Sequence, residues 1–165
     1  MKILPTILAA VLIVSGFTAS TVQAQDYKVG NLSVSGIWAR VTPPKAKTAA
    51  SYLMIKNSGA IDDVLIGVKS GVAGKTELHL SKIEGDMMKM IHIGKAAIPA
   101  GGMLMLKPGS YHVMYMGLKK PFTDGMKFPL TLVFEKSGEL EIMVEAKKGM
   151  GSAPMKHTMP MKKKS

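Results

Sequence analysis

Short runs of alternating apolar residues restrict most strongly how this 165-residue chain can fold. The clearest run is Leu140, Ile142, Val144 and Ala146, where charged residues fill most of the intervening positions. A period of two places successive side chains on opposite faces of a strand. Similar alternation recurs four times, at residues 64–68, 78–80, 104–106 and 130–134. These runs predict half-buried antiparallel strands.

Turn-forming residues separate the alternating runs at short, regular intervals. They are Pro43-Pro44, Asn57-Ser58-Gly59, residues 71–74, residues 99–102, Lys107-Pro108-Gly109 and Lys136-Ser137-Gly138. No segment has the 3.6-residue periodicity of an amphipathic helix. Many short strands with closely spaced turns predict an all-β domain, either an antiparallel β-sandwich or a barrel.

The first 24 residues resemble a signal peptide. Lys2 gives a positive start, residues 3–17 are mostly apolar, and Val22-Gln23-Ala24 has the small-x-small pattern of a cleavage site. We therefore expect export to the periplasm and a mature chain that begins at Gln25.

The rest of the chain divides into three parts. Residues 25–31 are expected to form a flexible lead-in, and residues 32–146 one folded domain. Residues 147–165 are rich in Met, His and Lys and contain too few other apolar residues to fold alone, so we expect a flexible tail.

Composition excludes several functions. The chain has no cysteine, so a blue-copper centre and thiol–disulfide chemistry are both excluded. The net charge of +11 suits nucleic acid, anionic membranes or acidic proteins. Export argues against nucleic acid, and no later stretch is apolar enough to span a membrane. We expect a monomer without stable membrane insertion.

Four residues form a spaced set of metal ligands. His79, Met90, His112 and Met114 are separated by ten, twenty-one and one residues. Two imidazoles and two thioethers suit a soft metal, and Cu(I) accepts thioether sulfur. Strand alternation places His112 and Met114 on one face, about 7 Å apart along the chain. Whether His79 and Met90 meet them depends on the tertiary fold.

The spacing H-x10-M-x21-H-x-M closely resembles the signature of the periplasmic copper chaperones of the PCu(A)C family. Flanking residues match as well: Glu77-Leu78 before the first histidine, residues 98–102 (IPAGG) and residues 108–119 (PGSYHVMYMGLK). The resemblance extends from about Gly36 to Ala146. The segment from Gly36 to Arg40 also resembles the family's early strand, and within it we interpret Trp38 as a core residue.

This resemblance has implications for both fold and function. It implies a Greek-key, cupredoxin-like sandwich that holds Cu(I) and delivers it by ligand exchange. The recipient would be a copper-accepting protein, either a cytochrome c oxidase subunit or a thiol-bearing assembly factor.

Simpler roles suffice for the other methionines and the third histidine of this region. His92 is interpreted as a surface or hydrogen-bonded residue, although with Met90 it offers a rival ligand pair. Met87, Met88 and Met116 are expected to shield the site. Methionine usually fills irregular gaps in a core, and we expect this of Met54, Met103, Met105, Met126 and Met143.

The tail carries a second set of potential ligands. They recur at close intervals and are Met150, Met155, His157, Met159 and Met161. Thioethers there could hold Cu(I), and His157 with backbone nitrogens could hold Cu(II). The alternative is a basic tail in which methionine is incidental.

Three other functions stay open at this point. An enzyme is disfavoured because Gly-x-Ser-x-Gly and His-Glu-x-x-His motifs are absent, and we expect no catalytic residues. Copper oxygenases on similar sandwiches use an N-terminal histidine, whereas the expected terminus here is Gln25. The second function is a structural or adhesive sandwich that binds no metal. The third is a buffer protein that sequesters copper without delivering it.

Overall fold

The computed structural model describes residues 27–85 and 87–149, and these residues form eleven β-strands and no helix. Among them there is therefore no helix that could cross a membrane. The strands are β1 (Tyr27–Val29), β2 (Leu32–Arg40), β3 (Thr48–Asn57), β4 (Asp63–Lys69), β5 (Ala73–Glu84), β6 (Met87–His92), β7 (Ala96–Ile98), β8 (Met103–Leu106), β9 (Tyr111–Leu118), β10 (Lys127–Phe134) and β11 (Gly138–Lys147).

The strands are arranged in two sheets. Sheet I has the order β6-β5-β9-β8-β3-β2, with β1 paired to β2 and an additional pairing between β9 and β3. Sheet II has the order β11-β10-β4-β7. Strand β11 joins the two sheets, because Ala146 and Lys147 pair in parallel with Ala39 and Arg40 of β2.

One hydrophobic core lies between the sheets. Val34 and Ile55 of sheet I and Leu130 and Ile142 of sheet II are fully buried within a single cluster. The side chains of β10 and β11 alternate as the sequence predicts, with apolar residues toward this cluster. The prediction of an all-β sandwich is therefore confirmed.

A buried hydrogen bond fixes the centre of the core. The hydroxyl groups of Ser51 and Tyr115 lie 2.8 Å apart, and the Tyr115 ring packs edge-on against Phe122 and Phe128. Burial raises the pKa of the Tyr115 hydroxyl well above its ordinary value, so the group stays protonated and able to donate. The hydroxyl pair thus satisfies two polar groups that burial would otherwise penalise.

A buried carboxylate connects β4 to the turn between β10 and β11. Asp63 Oδ1 accepts hydrogen bonds from the backbone N–H groups of Val64 (2.7 Å) and Lys136 (3.1 Å). Asp63 Oδ2 accepts from the N–H of Ser137 (3.1 Å) and from its hydroxyl (2.5 Å). One side chain therefore holds the end of sheet II together.

The expectation of a flexible lead-in is wrong for residues 27–29, which form β1. Gly30, with φ of 54°, closes a tight hairpin that pairs Tyr27 with Val34. The Tyr27 hydroxyl also accepts a hydrogen bond from the Met143 N–H at 3.1 Å, which ties β1 to β11. At the other end, β11 continues to Lys147, one residue beyond the expected domain boundary. The predicted signal peptide lies outside the described residues.

The expectation that the isolated methionines fill the core is wrong for four of them. Met103, Met105 and Met143 expose 52%, 43% and 42% of their surface. Each alternates with core residues, so each points away from the core. Met54 is half-buried, but it also points away from the core, because it alternates with the buried Leu53 and Ile55. Met126 does pack against the core.

Candidate metal centre

Three histidines form a row across neighbouring strands of sheet I. His79 of β5 lies opposite His112 of β9 on one side and opposite His92 of β6 on the other. The ring centroids of His79 and His112 are 5.9 Å apart, and those of His79 and His92 are 5.7 Å apart. Leu78 and Val113 point into the core, so the row lies on the opposite surface, which we call the outer face of sheet I.

The two histidines predicted as ligands are buried, although they lie on this outer face. His79 is 8% exposed and His112 is 3% exposed. His92, at the edge strand β6, is exposed. The prediction that His92 is a surface residue is therefore confirmed, and the two buried rings are distinguished from it.

Each buried ring is held by a hydrogen bond at one nitrogen. His79 Nε2 lies 3.0 Å from the Glu77 carboxylate, and His112 Nδ1 lies 3.0 Å from the Ser110 carbonyl. Since a carboxylate and a carbonyl only accept, we assign the N–H of each ring to these atoms. The lone pairs of the neutral rings are then on His79 Nδ1 and His112 Nε2.

These two nitrogens have no hydrogen-bond partner. Among the described residues only three buried side-chain polar atoms lack one, and the third is Thr76 Oγ1. A buried polar atom without a partner is penalised by roughly 1–3 kcal/mol. Two unpartnered lone pairs on adjacent imidazoles are what a metal ion requires, and a hydrogen bond at the other ring nitrogen is the usual support of a metal-binding histidine.

The surroundings of the rings keep Glu77 ionised and favour the neutral form of His112. The hydrogen bond with His79, followed by the one with Lys75, lowers the pKa of Glu77 to about 2. Burial lowers the pKa of His112, the Ser110 carbonyl partly opposes this, and the electrostatic effect of the neighbouring His79 lowers it further. A histidine must be neutral to bind a metal, so the lowered pKa keeps His112 available at neutral pH.

The two predicted thioether ligands lie on the same face. Met114 lies opposite Glu77 on one side and Ala50 on the other, two positions along β9 from His112. Met90 of β6 lies opposite Ser81, and Ser81 is two positions along β5 from His79. The Met90 side chain is 56% exposed. The fold thus places all four predicted ligands on one surface of three adjacent strands, with the imidazoles between the thioethers.

No group of three or more His, Asp or Glu side chains within residues 27–85 and 87–149 is arranged to hold a metal ion. Thioether sulfur is the other soft donor on this face, and Met90 and Met114 each lie one diagonal position from His79. Met88 and Met116 lie beside these two on the same face, whereas Met87 belongs to the opposite side of β6. Their expected shielding role stays a prediction.

The comparisons with known proteins identify the family. Residues 32–146 match the family model described as "Putative lipoprotein LpqE-like". The chain belongs to the LpqE-like family. This is the PCuAC family, so the resemblance predicted from the His–Met spacing is confirmed.

Individual relatives cover most of this LpqE-like protein. It is 30% identical over 135 residues to "Putative lipoprotein Lxx21020" of Leifsonia xyli subsp. xyli, which covers 81% of this chain and 80% of the relative. The copper-bound PCuAC domain from PmoF2 is 27% identical, with a TM-score of 0.65, and covers 74% of this chain and 97% of that domain. The solution structure of CuI-DR1885 from Deinococcus radiodurans is 28% identical, with a TM-score of 0.59. The match covers 81% of this chain and 87% of that chain.

Two residues that orient the histidines were not assigned a role by the sequence. Strand alternation places Glu77 on the same face as His79, two residues later, although no role was predicted for Glu77. That spacing could have indicated a hydrogen bond between them. The role of Ser110 depends on its backbone carbonyl, which no side-chain pattern reveals.

The interpretation of Trp38 as a core residue is wrong in this LpqE-like protein. Trp38 pairs with Tyr52 on the outer face of sheet I, and the two ring centroids are 4.6 Å apart. Its neighbour Ala39 is the residue that is buried in the core. The predicted tail ligands, from Met150 to Met161, lie outside the described residues.

Proposed function

We propose that this protein is a copper-binding chaperone of the cell envelope, located in the periplasm, which captures Cu(I) and passes it to an acceptor protein. The proposed ligands are His79, Met90, His112 and Met114. The observation that carries the proposal is the pair of buried, unpartnered nitrogens, His79 Nδ1 and His112 Nε2. The family membership and the copper-bound relatives support the choice of metal.

The ligand types favour the monovalent ion. Thioether sulfur is a soft donor that suits Cu(I). It is not protonated at neutral pH, so protons do not compete with copper for this ligand. The neutral imidazoles complete a set without negative charge, so the ion is held without thiolate. A protein thiolate is a softer and charged ligand, which gives a thiol-bearing acceptor a thermodynamic advantage.

The exposure of the ligands favours delivery over storage. The histidines are buried, whereas Met90 lies on the edge strand and is largely exposed. An acceptor can therefore replace the Met90 sulfur first, while the imidazoles still hold the ion. We propose that the acceptor serves the copper centre of cytochrome c oxidase, either as an oxidase subunit or as a thiol-bearing assembly factor.

Transfer kinetics separate delivery from sequestration. The full chain is loaded with one equivalent of Cu(I) and mixed with a thiol-bearing acceptor, in parallel with the same copper held by a small chelator of matched affinity. Delivery predicts faster loading of the acceptor from the protein than from the chelator. Equal or slower loading would favour a buffering role instead.

We also propose a second copper site in the tail, formed by Met150, Met155, His157, Met159 and Met161, with Cu(I) on the thioethers and Cu(II) on His157. Removal of residues 150–165 should then lower the bound copper by about one equivalent at the same free copper concentration. The cut follows Gly149, because the N–H of Lys148 donates to Asp124 at 2.9 Å and belongs to the fold. An unchanged stoichiometry would contradict the tail site.

A further inference from the structure

A cluster of methionines lies on the outer face of sheet I, outside the candidate centre. Met105 of β8 is directly opposite Met54 of β3, and Met103 is the next outward residue along β8. Leu104 and Leu106, which alternate with them, are buried in the core. We call Met54, Met103 and Met105 the β3–β8 methionine cluster.

The composition of this cluster is unusual for a solvent-facing sheet surface. On sheet II, the outward positions of β11 carry three glutamates and one methionine, which are Glu139, Glu141, Met143 and Glu145. On β8 both outward positions carry methionine, and both are substantially exposed. Core packing therefore does not explain Met103 and Met105, and solubility would favour charged residues.

The register allows the three sulfurs to converge. Directly opposite residues have Cβ atoms about 4.5–5.5 Å apart, and diagonal neighbours are separated by about 7–8 Å. Met54 and Met105 are opposite, and Met54 and Met103 are diagonal. Methionine is unbranched and flexible, so side chains at these separations can share one ion between them.

The cluster shares a sheet face with the candidate copper centre, and Met54 is four residues along β3 from the position opposite Met114. Leu106, next to Met105, pairs with Tyr111, which immediately precedes His112. In β3, Ala50 pairs with Met114. The strands that carry the cluster therefore flank the strand that carries two of the proposed ligands, on the same face of the sheet.

We propose that Met54, Met103 and Met105 bind a second Cu(I) ion through three thioethers. The identity of the metal rests on the proposed function. The cluster offers three donors, whereas the His79–His112 centre offers four, and the cationic Lys56 lies opposite Met103. Its affinity for Cu(I) is therefore lower than that of the His79–His112 centre. A lower affinity allows copper to leave the cluster for that centre.

The test is a Cu(I) titration of the full chain. NMR of the 13C-labelled methionine ε-methyl groups reports which methionines respond to each addition of copper. The test variant replaces all three residues, M54L/M103L/M105L, because leucine preserves most of the volume. The matched control is Met143→Leu, an exposed methionine of sheet II that lies opposite Pro129. Individual methyl signals also separate this cluster from the tail methionines.

The first equivalent of copper should shift Met90 and Met114. Further copper should shift the three cluster methyls together and leave Met143 unmoved. The triple variant should lose the cluster response but keep its affinity for the first equivalent within about threefold of the parent chain.

Three results would overturn the inference. If the cluster methyls stay unmoved while the first equivalent still binds, the cluster does not bind copper and the proposed function stands. If they shift with protein concentration in the absence of copper, the face is an interface between copies. If no methyl responds to copper at all, the proposed function fails as well.

Discussion

Replacing His112 with alanine should weaken Cu(I) binding by about a hundredfold or more, since even the residues that orient metal ligands contribute roughly 10–100-fold. The side chain supplies one of the two buried nitrogens without a partner. Its loss leaves His79 as the only remaining buried imidazole on this face. His79→Ala should have a similar effect, because the two rings are adjacent and equivalent in the proposed ligand set.

Competition against a Cu(I) chelator measures this loss directly. The matched control is His92→Ala, which removes the third imidazole of the same row from an exposed position on β6. We expect the control to change the affinity by less than about threefold, as for a surface position outside the ligand set. Equal losses in His92→Ala and His112→Ala, or near-normal binding by His112→Ala, would contradict the assignment.

Replacing Asp63 with asparagine should lower the free energy of unfolding by about 2–3 kcal/mol, the range expected when a hydrogen-bonded charge is removed and its partners stay buried. The carboxylate accepts hydrogen bonds from Val64, Lys136 and Ser137. An asparagine amide has one oxygen and one NH2 group, so it presents a donor where Ser137 also donates. The end of sheet II should loosen as a result.

The effect of Asp63 should depend on pH. Burial alone would raise the pKa of Asp63, but the hydrogen bonds from Ser137, Val64 and Lys136 outweigh it and hold the pKa below its ordinary value. A lowered pKa in the folded state stabilises the fold above the unfolded pKa of about 3.9, and this stabilisation is lost as the pH falls further. The free energies of unfolding of the parent chain and of Asp63→Asn should therefore differ most above about pH 5 and become similar in acid.

Denaturant unfolding at several pH values tests this expectation. Glu141→Gln is the matched control, because it also removes one carboxylate of sheet II but from an exposed position on β11. The control should change the stability by less than about 0.5 kcal/mol. A constant difference between the parent chain and Asp63→Asn across the pH range would show that the charge of Asp63 does not contribute.

Alternation predicts the strands that bury one face, and it fails where neither face is buried. β9 and β11 were predictable because Val113, Tyr115, Ile142 and Val144 recur every second residue. β6 exposes all six of its residues and has no apolar period. It exists because Gly85, with φ of 62°, closes a hairpin that pairs it with β5.

A β-bulge explains the error at Trp38. Leu32 and Val34 occupy the even core positions of β2, and continued alternation would place Trp38 in the core as well. The register shifts between Ser35 and Trp38, where Gly36 has φ of 60°. An extra residue exchanges the two faces of the strand, so Ala39 enters the core instead. The isolated glycine inside the strand, Gly36, is the local sign of such a bulge.

Methionine is the residue type for which the sequence is least informative about direction. Its flexible thioether suits both a core and a ligand position, so Met103 and Met105 could not be assigned without the register of β8. The ligand spacing did predict which residues to compare. The i, i+2 spacing of Glu77 and His79 could have indicated their hydrogen bond. The contact of His112 with Ser110 could not be predicted, because a backbone carbonyl makes it.

X-ray absorption on the full chain loaded with less than one equivalent of Cu(I) tests the central claim most directly. We predict about two nitrogen and two sulfur scatterers around the ion, with one nitrogen fewer in His112→Ala. Substoichiometric copper keeps the weaker methionine sites unoccupied. A first shell with no sulfur, or one that His112→Ala leaves unchanged, would contradict a centre built from His79, Met90, His112 and Met114.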